Sequence, residues 1–176
     1  MACSQTLSGI LRDCEPNAGG IKEIYIANAD DVTAITLDST GAEISSITMA
    51  TSGATSAKFK KFYFRAGQAS ASFTPQFNES GEYAGEEGTV TVNFGRMDTT
   101  KRAQMAALSV AELVVIYKDN NGLNWLLGYD HPVMRNGGDS GPGGQKTDFN
   151  KYGLQLVSRD NQLPYELDDT VLAGII

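Results

Sequence analysis

Residues 113–128 decide the fold, and they read Leu-Val-Val-Ile-Tyr-Lys-Asp-Asn-Asn-Gly-Leu-Asn-Trp-Leu-Leu-Gly. Two apolar runs, 113–117 and 124–128, flank the polar segment 118–122. The Asn-Gly step in that segment supplies residues that tolerate a positive φ, which a tight turn between antiparallel strands requires. This stretch therefore predicts a β-hairpin.

Short runs of alternating apolar and polar residues, separated by Gly, Asn and Asp, recur along the rest of the chain. This pattern is typical of β-strands. In 89–94, for example, Val90, Val92 and Phe94 alternate with Thr and Asn and predict one buried face. Further strands are predicted at 21–27, 32–37, 44–49, 58–65, 69–73, 152–157 and 170–176, with 58–65 paired to 69–73.

One segment, 99–110, breaks the β pattern because it consists of good helix formers, with an N-cap supplied by Asp98, Thr99 or Thr100. The sequence thus predicts a mainly β fold, a β-sandwich or barrel with one flanking α-helix. We expect a polar N-terminal arm at 1–20 and a single β-rich domain at 21–176.

Two long loops are predicted within that domain, at 77–88 and at 135–150. The first carries four glutamates and no basic residue, which favours a solvated loop. The second contains the glycine-rich stretch 137–144, which we expect to be flexible.

Composition excludes several classes of function. The chain has 176 residues and a net charge of −7, with no basic cluster of the kind that grips nucleic acid phosphates. No run of about 18 apolar residues predicts a membrane span, and the N-terminus lacks the pattern of a secretory signal, so we expect synthesis in the cytoplasm. Cys3 and Cys14 are then expected to be free thiols, although a disulfide stays open. With His131 as the only histidine, no zinc site is expected.

The sequence offers no convincing catalytic site, and we expect no enzyme activity and no cofactor. Residues 138–142, Gly-Asp-Ser-Gly-Pro, resemble the nucleophile segment of chymotrypsin-like proteases. His131, however, precedes Ser140 by nine residues in a glycine-rich loop that could not hold a catalytic triad. A Ca²⁺ site at 119–122 is conceivable, but a hairpin turn explains the same residues. Adjacent carboxylates at 30–31, 86–87 and 168–169 are interpreted as solvated pairs.

Two segments resemble virion structural proteins of phages and prophages of gut anaerobes. The first is 3–32, with its Cys-x5-Gly-Ile-x-Arg-Asp-Cys start and Gly-Gly-Ile-Lys-Glu-Ile-Tyr-Ile-Ala. The second joins 118–128 to Thr-Asp-Phe-Asn-Lys-Tyr-Gly-Leu-Gln-Leu at 147–156. The overall layout is similar to the tail-tube (major tail) proteins of long-tailed phages. That resemblance implies a β-sandwich or barrel with a flanking helix, six copies in a ring, and loops and arms that link stacked rings.

The resemblance implies a homo-oligomeric tail-tube subunit, made in the host bacterium, which contacts other tail proteins in the virion. DNA would pass through the tube without specific binding. We expect acidic residues to line the lumen and repel phosphates, with Glu23, Asp30, Asp31 and Glu43 as candidates. Two alternatives stay open. One is a capsid decoration or head–tail connector protein. The other is a non-catalytic carbohydrate- or receptor-binding β-sandwich. The aromatic residues suited to stacking on sugars are Trp125, Tyr129, Phe62 and Tyr83, although the apolar strand around Trp125 favours a place in the core for that residue.

Overall fold

The computed structural model describes residues 9, 10, 14, 17–52 and 55–176, and these form thirteen strands and two α-helices. In chain order the elements are β1 (Ile21–Asn28), β2 (Val32–Leu37), β3 (Glu43–Met49), β4 (Thr51–Ser52), β5 (Thr55–Ser56), β6 (Lys60–Phe62), β7 (Ala69–Phe77), β8 (Tyr83–Gly95), α1 (Thr99–Leu108), β9 (Leu113–Asp119), β10 (Asn124–Leu127), β11 (Met134–Gly137), β12 (Lys151–Asp160), β13 (Tyr165–Leu167) and α2 (Asp169–Ile175). A 3-10 turn, Ala29–Asp31, joins β1 to β2.

The strands form two main sheets. The first sheet has the order β2-β3-β13-β10-β9-β1-β6 and is antiparallel except between β13 and β3. The second sheet has the order β11-β12-β8-β7 and is antiparallel throughout. The strands β4 and β5 form a separate small hairpin. The prediction of a mainly β fold with a flanking helix is confirmed.

Apolar side chains form a core on each face of the first sheet. Successive residues of β9 point to opposite faces, so Val115 packs in the first core, between the two sheets, and Ile116 packs in the second. Leu172 and Ile175 of α2 cover the second core. Burial on both faces explains why β9 is apolar without alternation.

The second sheet runs across the strands of the first, as in sandwiches with crossed sheets. The ring of Phe94 on β8 lies 6.1 Å from that of Phe62 on β6, at one edge of the first sheet. Further along β8, a Cβ on Gly88 would lie 3.0 Å from the Leu127 side chain of β10. The part of β8 near Gly88 therefore lies further from β6 than Phe94 does, while Ala84 lines one groove of about 690 Å³ together with Val110.

The predicted hairpin at 113–128 is present, and its turn organises the preceding segment. Asp119 Oδ1 accepts hydrogen bonds from the backbone N–H groups of Asn121 and Leu123, both at 2.9 Å. The N–H of Ala18 donates to Asn121 Oδ1 at 2.8 Å. The described end of the predicted arm 1–20 is thus fastened to this turn.

The expected strand at 170–176 is wrong, because α2 occupies Asp169–Ile175. Asp168 caps this helix by accepting the Thr170 N–H at 2.7 Å. The short apolar run fits a buried strand as well as a helix, and the buried positions Leu172 and Ile175, three apart, are those of one helix face.

The predicted loop at 77–88 is also wrong, because β7 and β8 form a long hairpin with only 78–82 outside the strands. The Asn78 side chain closes its turn, since Oδ1 accepts the N–H groups of Ser80 and Glu82, both at 2.9 Å. Glutamates disfavour strands, but the backbone pairing of β8 with β12 over Glu86 and Glu87 overrides that preference.

Two further expectations about the strands are corrected. The segment 58–65 contributes only β6, Lys60–Phe62, which pairs with β1, whereas β7 pairs with β8. A turn in which the Gln68 N–H donates to the Arg65 carbonyl at 3.1 Å redirects the chain to the other sheet. The predicted loop at 135–150 begins inside β11, and its remaining residues 138–150 connect β11 to β12.

Within the described residues, neither helix is long and apolar enough to cross a membrane.

Candidate assembly surfaces

The structure does not bring the four proposed lumen carboxylates together. Glu23 forms an ion pair with Lys61, with Oε1 2.8 Å from Nζ. Hydrogen bonds from Lys61 and then Tyr25 hold the pKa of Glu23 below its ordinary value. Glu23 lies on the same face of β1 as Tyr25, which belongs to the second core. Glu43 precedes Ile44, which also belongs to the second core, so the Glu43 side chain points to the opposite face of the sheet.

The other two candidates lie in the turn between β1 and β2. Asp31 accepts a hydrogen bond from the Asn28 side chain at 3.2 Å, and Asp30 is exposed. Glu43 on β3 lies opposite Glu166 on β13, the neighbouring parallel strand. Burial, and then the nearby Glu43 charge, raise the pKa of Glu166. The four carboxylates therefore do not form one acidic surface patch.

The outer face of the second sheet carries mainly polar side chains without charge. On β8, Val90 and Val92 point into the first core, so Thr89 and Thr91 point outward. The neutral face, as we call it, consists of Ser70, Ser72, Thr74, Gln76, Thr89, Thr91, Asn93 and Gln155.

The neutral face is bounded by charged side chains at both ends. At one end Arg159 Nε lies 3.2 Å from Glu87 Oε2. At the other end Lys151, on β12, lies on the same face. The apolar Val157, opposite Thr89, also belongs to this side of the sheet.

Sequence reasoning missed the neutral face because it depends on pairing between distant segments. The alternation Ser-Ala-Ser-Phe-Thr at 70–74 and Thr-Val-Thr-Val-Asn at 89–93 was the available signal. It became informative only once β7 was found to pair with β8 rather than with the 58–65 segment.

The hairpin tip, residues 77–83, exposes two aromatic rings. Phe77 is 61% exposed and Tyr83 is 51% exposed, and their rings meet edge to face with centroids 6.2 Å apart. Glu79 and Glu82 are also exposed there. No lysine or arginine occurs between Arg65 and Arg96, so the tip is acidic as well as aromatic.

A buried carboxylate holds the base of the hairpin. Asp160, which pairs with Glu86 across β12 and β8, is only 8% exposed. Its oxygens accept the N–H groups of Gly128 at 2.9 Å, Asp130 at 3.0 Å and His131 at 3.2 Å. Asp160 thus ties the second sheet to the turn that follows β10.

A groove lies between β6 and α1, and we call it the edge groove. Its volume is about 360 Å³, and its walls include Phe62, Leu108 and Val110. Val110 is 88% exposed. The exposed side chains of Lys58 and Lys60 also line it.

The residues of the protease-like motif are used structurally. Ser140 Oγ accepts the Gly153 N–H at 3.2 Å. His131 lines a groove of about 690 Å³ with Arg135 and Met134, and Ser140 is not among the residues around it. Across the part of the chain that the structure describes, no cluster of three or more His, Cys, Asp or Glu side chains is placed to hold a metal ion.

The aromatic residues considered for sugar binding do not share a surface. Phe62 and Trp125 pack against the first core, and Trp125 Nε1 donates to Asp119 at 3.2 Å. Tyr129 packs on the second core, while Tyr83 lies on the hairpin tip. Cys14 is exposed, and Cys3 lies outside the described residues.

Comparisons of the chain with protein-family models, with curated proteins and with solved structures gave no match.

Proposed function

We propose that this chain is a subunit of a bacteriophage tail tube, in which stacked rings, six copies in each, enclose a channel for DNA. The observation that carries the proposal is the neutral face of the second sheet. Soluble proteins commonly cover their surface with about 25–35% charged residues, yet eight side chains of this face are Ser, Thr, Asn or Gln. Such a uniform polar face suits the wall of a channel along which DNA slides.

The chemistry of DNA passage favours a neutral wall. Lysine and arginine bind phosphates and make a duplex adhere, so a conducting channel must avoid unpaired cations. Arg159, at one end of the neutral face, is paired with Glu87. Lys151, at the other end, forms no ion pair within the described residues, but between these two ends the face carries no cation. The net charge of −7 further disfavours adhesion of a polyanion. The neutral face therefore replaces the four acidic residues as our proposed lumen.

The edge of the second sheet favours assembly. Strand β7 is nine residues long, and within the described residues its outer edge has no partner strand. An open edge of this length invites pairing with another chain, and closed rings remove it. Pro75 lacks an N–H, so pairing along this edge would involve mainly 69–74.

The proposal places the chain in the virion after synthesis in the host bacterium, with copies of itself and other tail proteins as partners. Sedimentation velocity of the purified protein over a concentration series tests it. We expect the 18.8-kDa chain to convert to large assemblies as concentration rises. A trimer that binds capsids would indicate a decoration protein instead, and a monomer that binds glycans would indicate a carbohydrate-binding module.

The neutral lumen has its own test. Replacing Thr89 and Thr91 by lysine should leave assembly unchanged but make the assemblies retain short duplex DNA, measured by co-sedimentation at low salt. Lysines introduced at the exposed positions Thr99 and Thr100 of α1, outside the neutral face, serve as the matched control and should retain none. Equal DNA retention by both variants would contradict the assignment of the lumen.

A further inference from the structure

Two surfaces of the molecule complement each other in charge and in their apolar groups. The hairpin tip is the turn between β7 and β8, and the edge groove lies between β6 and α1. From these observations, and resting on the proposed self-assembling function, we infer that the hairpin tip of one copy docks in the edge groove of a second copy.

The apolar groups of the two surfaces match. Phe77 and Tyr83 leave more than half of their side-chain surface in water, which is unusual for a pair of rings already in contact. Phe and Tyr side chains bury about 150–250 Å² each when covered, so they are strong anchors for an interface. The edge groove offers Phe62, Leu108 and the exposed Val110 as their contacts.

The charges of the two surfaces also match. The hairpin tip carries Glu79 and Glu82 with no basic residue near them in the chain. The edge groove carries Lys58 and Lys60, and Asp31 is the one acidic side chain that lines it. Lys58 Nζ also donates a hydrogen bond to the Ile176 backbone oxygen. Complementary charges around an apolar centre steer association and fix its orientation, while like charges oppose it.

The difference between the two surfaces determines how copies would join. A contact between two different surfaces is heterologous, so a docked pair still presents one free groove and one free tip. Repetition of the contact closes into a ring or continues along an axis, according to the rotation between copies. Both forms occur within a tube.

Charge reversal tests the docking, because complementary variants can rescue each other. The groove variant is Lys58→Glu/Lys60→Glu, and the tip variant is Glu79→Lys/Glu82→Lys. Each variant alone brings like charges together at every contact. In an equimolar mixture, acidic tips meet basic grooves and basic tips meet acidic grooves wherever the two variants alternate, so attraction returns at every contact between unlike variants. The control, Lys22→Glu/Lys146→Glu, reverses two exposed lysines elsewhere.

We expect each charge variant to raise the concentration at half-maximal assembly by about tenfold or more, and the mixture to return it to within about threefold of the wild type. Circular dichroism establishes that the variants are folded. The milder variant Phe77→Gln, at a 61% exposed position, should weaken assembly without affecting folding. The docking is overturned if the wild type assembles and the charge variants assemble at the same concentration, or if mixing the two variants does not restore assembly. Either result leaves the tube proposal standing. A wild type that never assembles would instead count against the tube proposal.

Discussion

Replacement of Asp160 by asparagine tests how the base of the hairpin is held. The aspartate accepts three backbone N–H groups, from Gly128, Asp130 and His131, at 2.9, 3.0 and 3.2 Å. Asparagine has the same shape but only one acceptor oxygen. If that oxygen takes the position of Oδ1, two bonds remain, and the new amide NH₂ faces the Gly128 N–H as donor against donor.

The size of the effect follows from these contacts. Loss of one hydrogen bond to a charged acceptor costs about 1.5–3 kcal/mol, and the two remaining bonds weaken because their acceptor is now neutral. Since Asp160 is 8% exposed, water cannot readily replace the lost partner. We therefore expect Asp160→Asn to lower the free energy of unfolding by about 2–4 kcal/mol.

Urea unfolding followed by circular dichroism measures this loss as a lower midpoint at an unchanged slope. The matched control is Asp130→Asn in the neighbouring turn, where the carboxylate is exposed and accepts one N–H, from Asn161 at 2.9 Å. The control should lose about 1 kcal/mol or less. Equal effects of the two substitutions, or an Asp160→Asn variant as stable as the wild type, would refute the reasoning.

Three further predictions concern single positions. Because the folded pKa of Glu23 lies below its ordinary 4.5, the ion pair with Lys61 should contribute stability at neutral pH and lose it as acid protonates the carboxylate. The difference in urea midpoint between wild type and Glu23→Gln should therefore shrink below about pH 4.5; a constant difference would contradict it. Gly138 has a φ of +120°, and a Cβ there would lie 2.1 Å from the Gly153 carbonyl oxygen. Gly138→Ala should thus lower the free energy of unfolding by about 2–4 kcal/mol, measured by thermal unfolding. An unchanged stability would contradict the close contact between Gly138 and Gly153. Leu126 is 0% exposed, so Leu126→Ala should lower the free energy of unfolding by about 2–5 kcal/mol. An unchanged melting temperature would contradict this prediction.

Local patterns predicted the parts of the fold that depend on neighbours in the chain. The hairpin around Asp119 forms as expected because its turn is closed by side-chain bonds within five residues. The strand at 89–94 and the helix α1 likewise follow from alternation and from the Asp98 cap, whose Oδ1 accepts the Lys101 N–H at 2.8 Å. In each case the deciding pattern or interaction lies within a short stretch of the chain.

The errors arose where distant segments decide. The apolar run at 170–176 suits either a strand or a helix, and the packing of Leu172 and Ile175 against the second core, which distant strands build, selects the helix. The glutamates of β8 become strand residues because β12 supplies a partner. The neutral face and the edge groove depend on which strands pair and cross, which a single sequence does not specify.

Negative-stain electron microscopy of the assembled protein tests the central proposal most directly. If the chain is a tail-tube subunit, the assemblies formed at high concentration should be hollow tubes or stacked rings with a central channel and six-fold end views. Solid fibrils, compact closed oligomers without a channel, or single particles at every concentration would contradict the account.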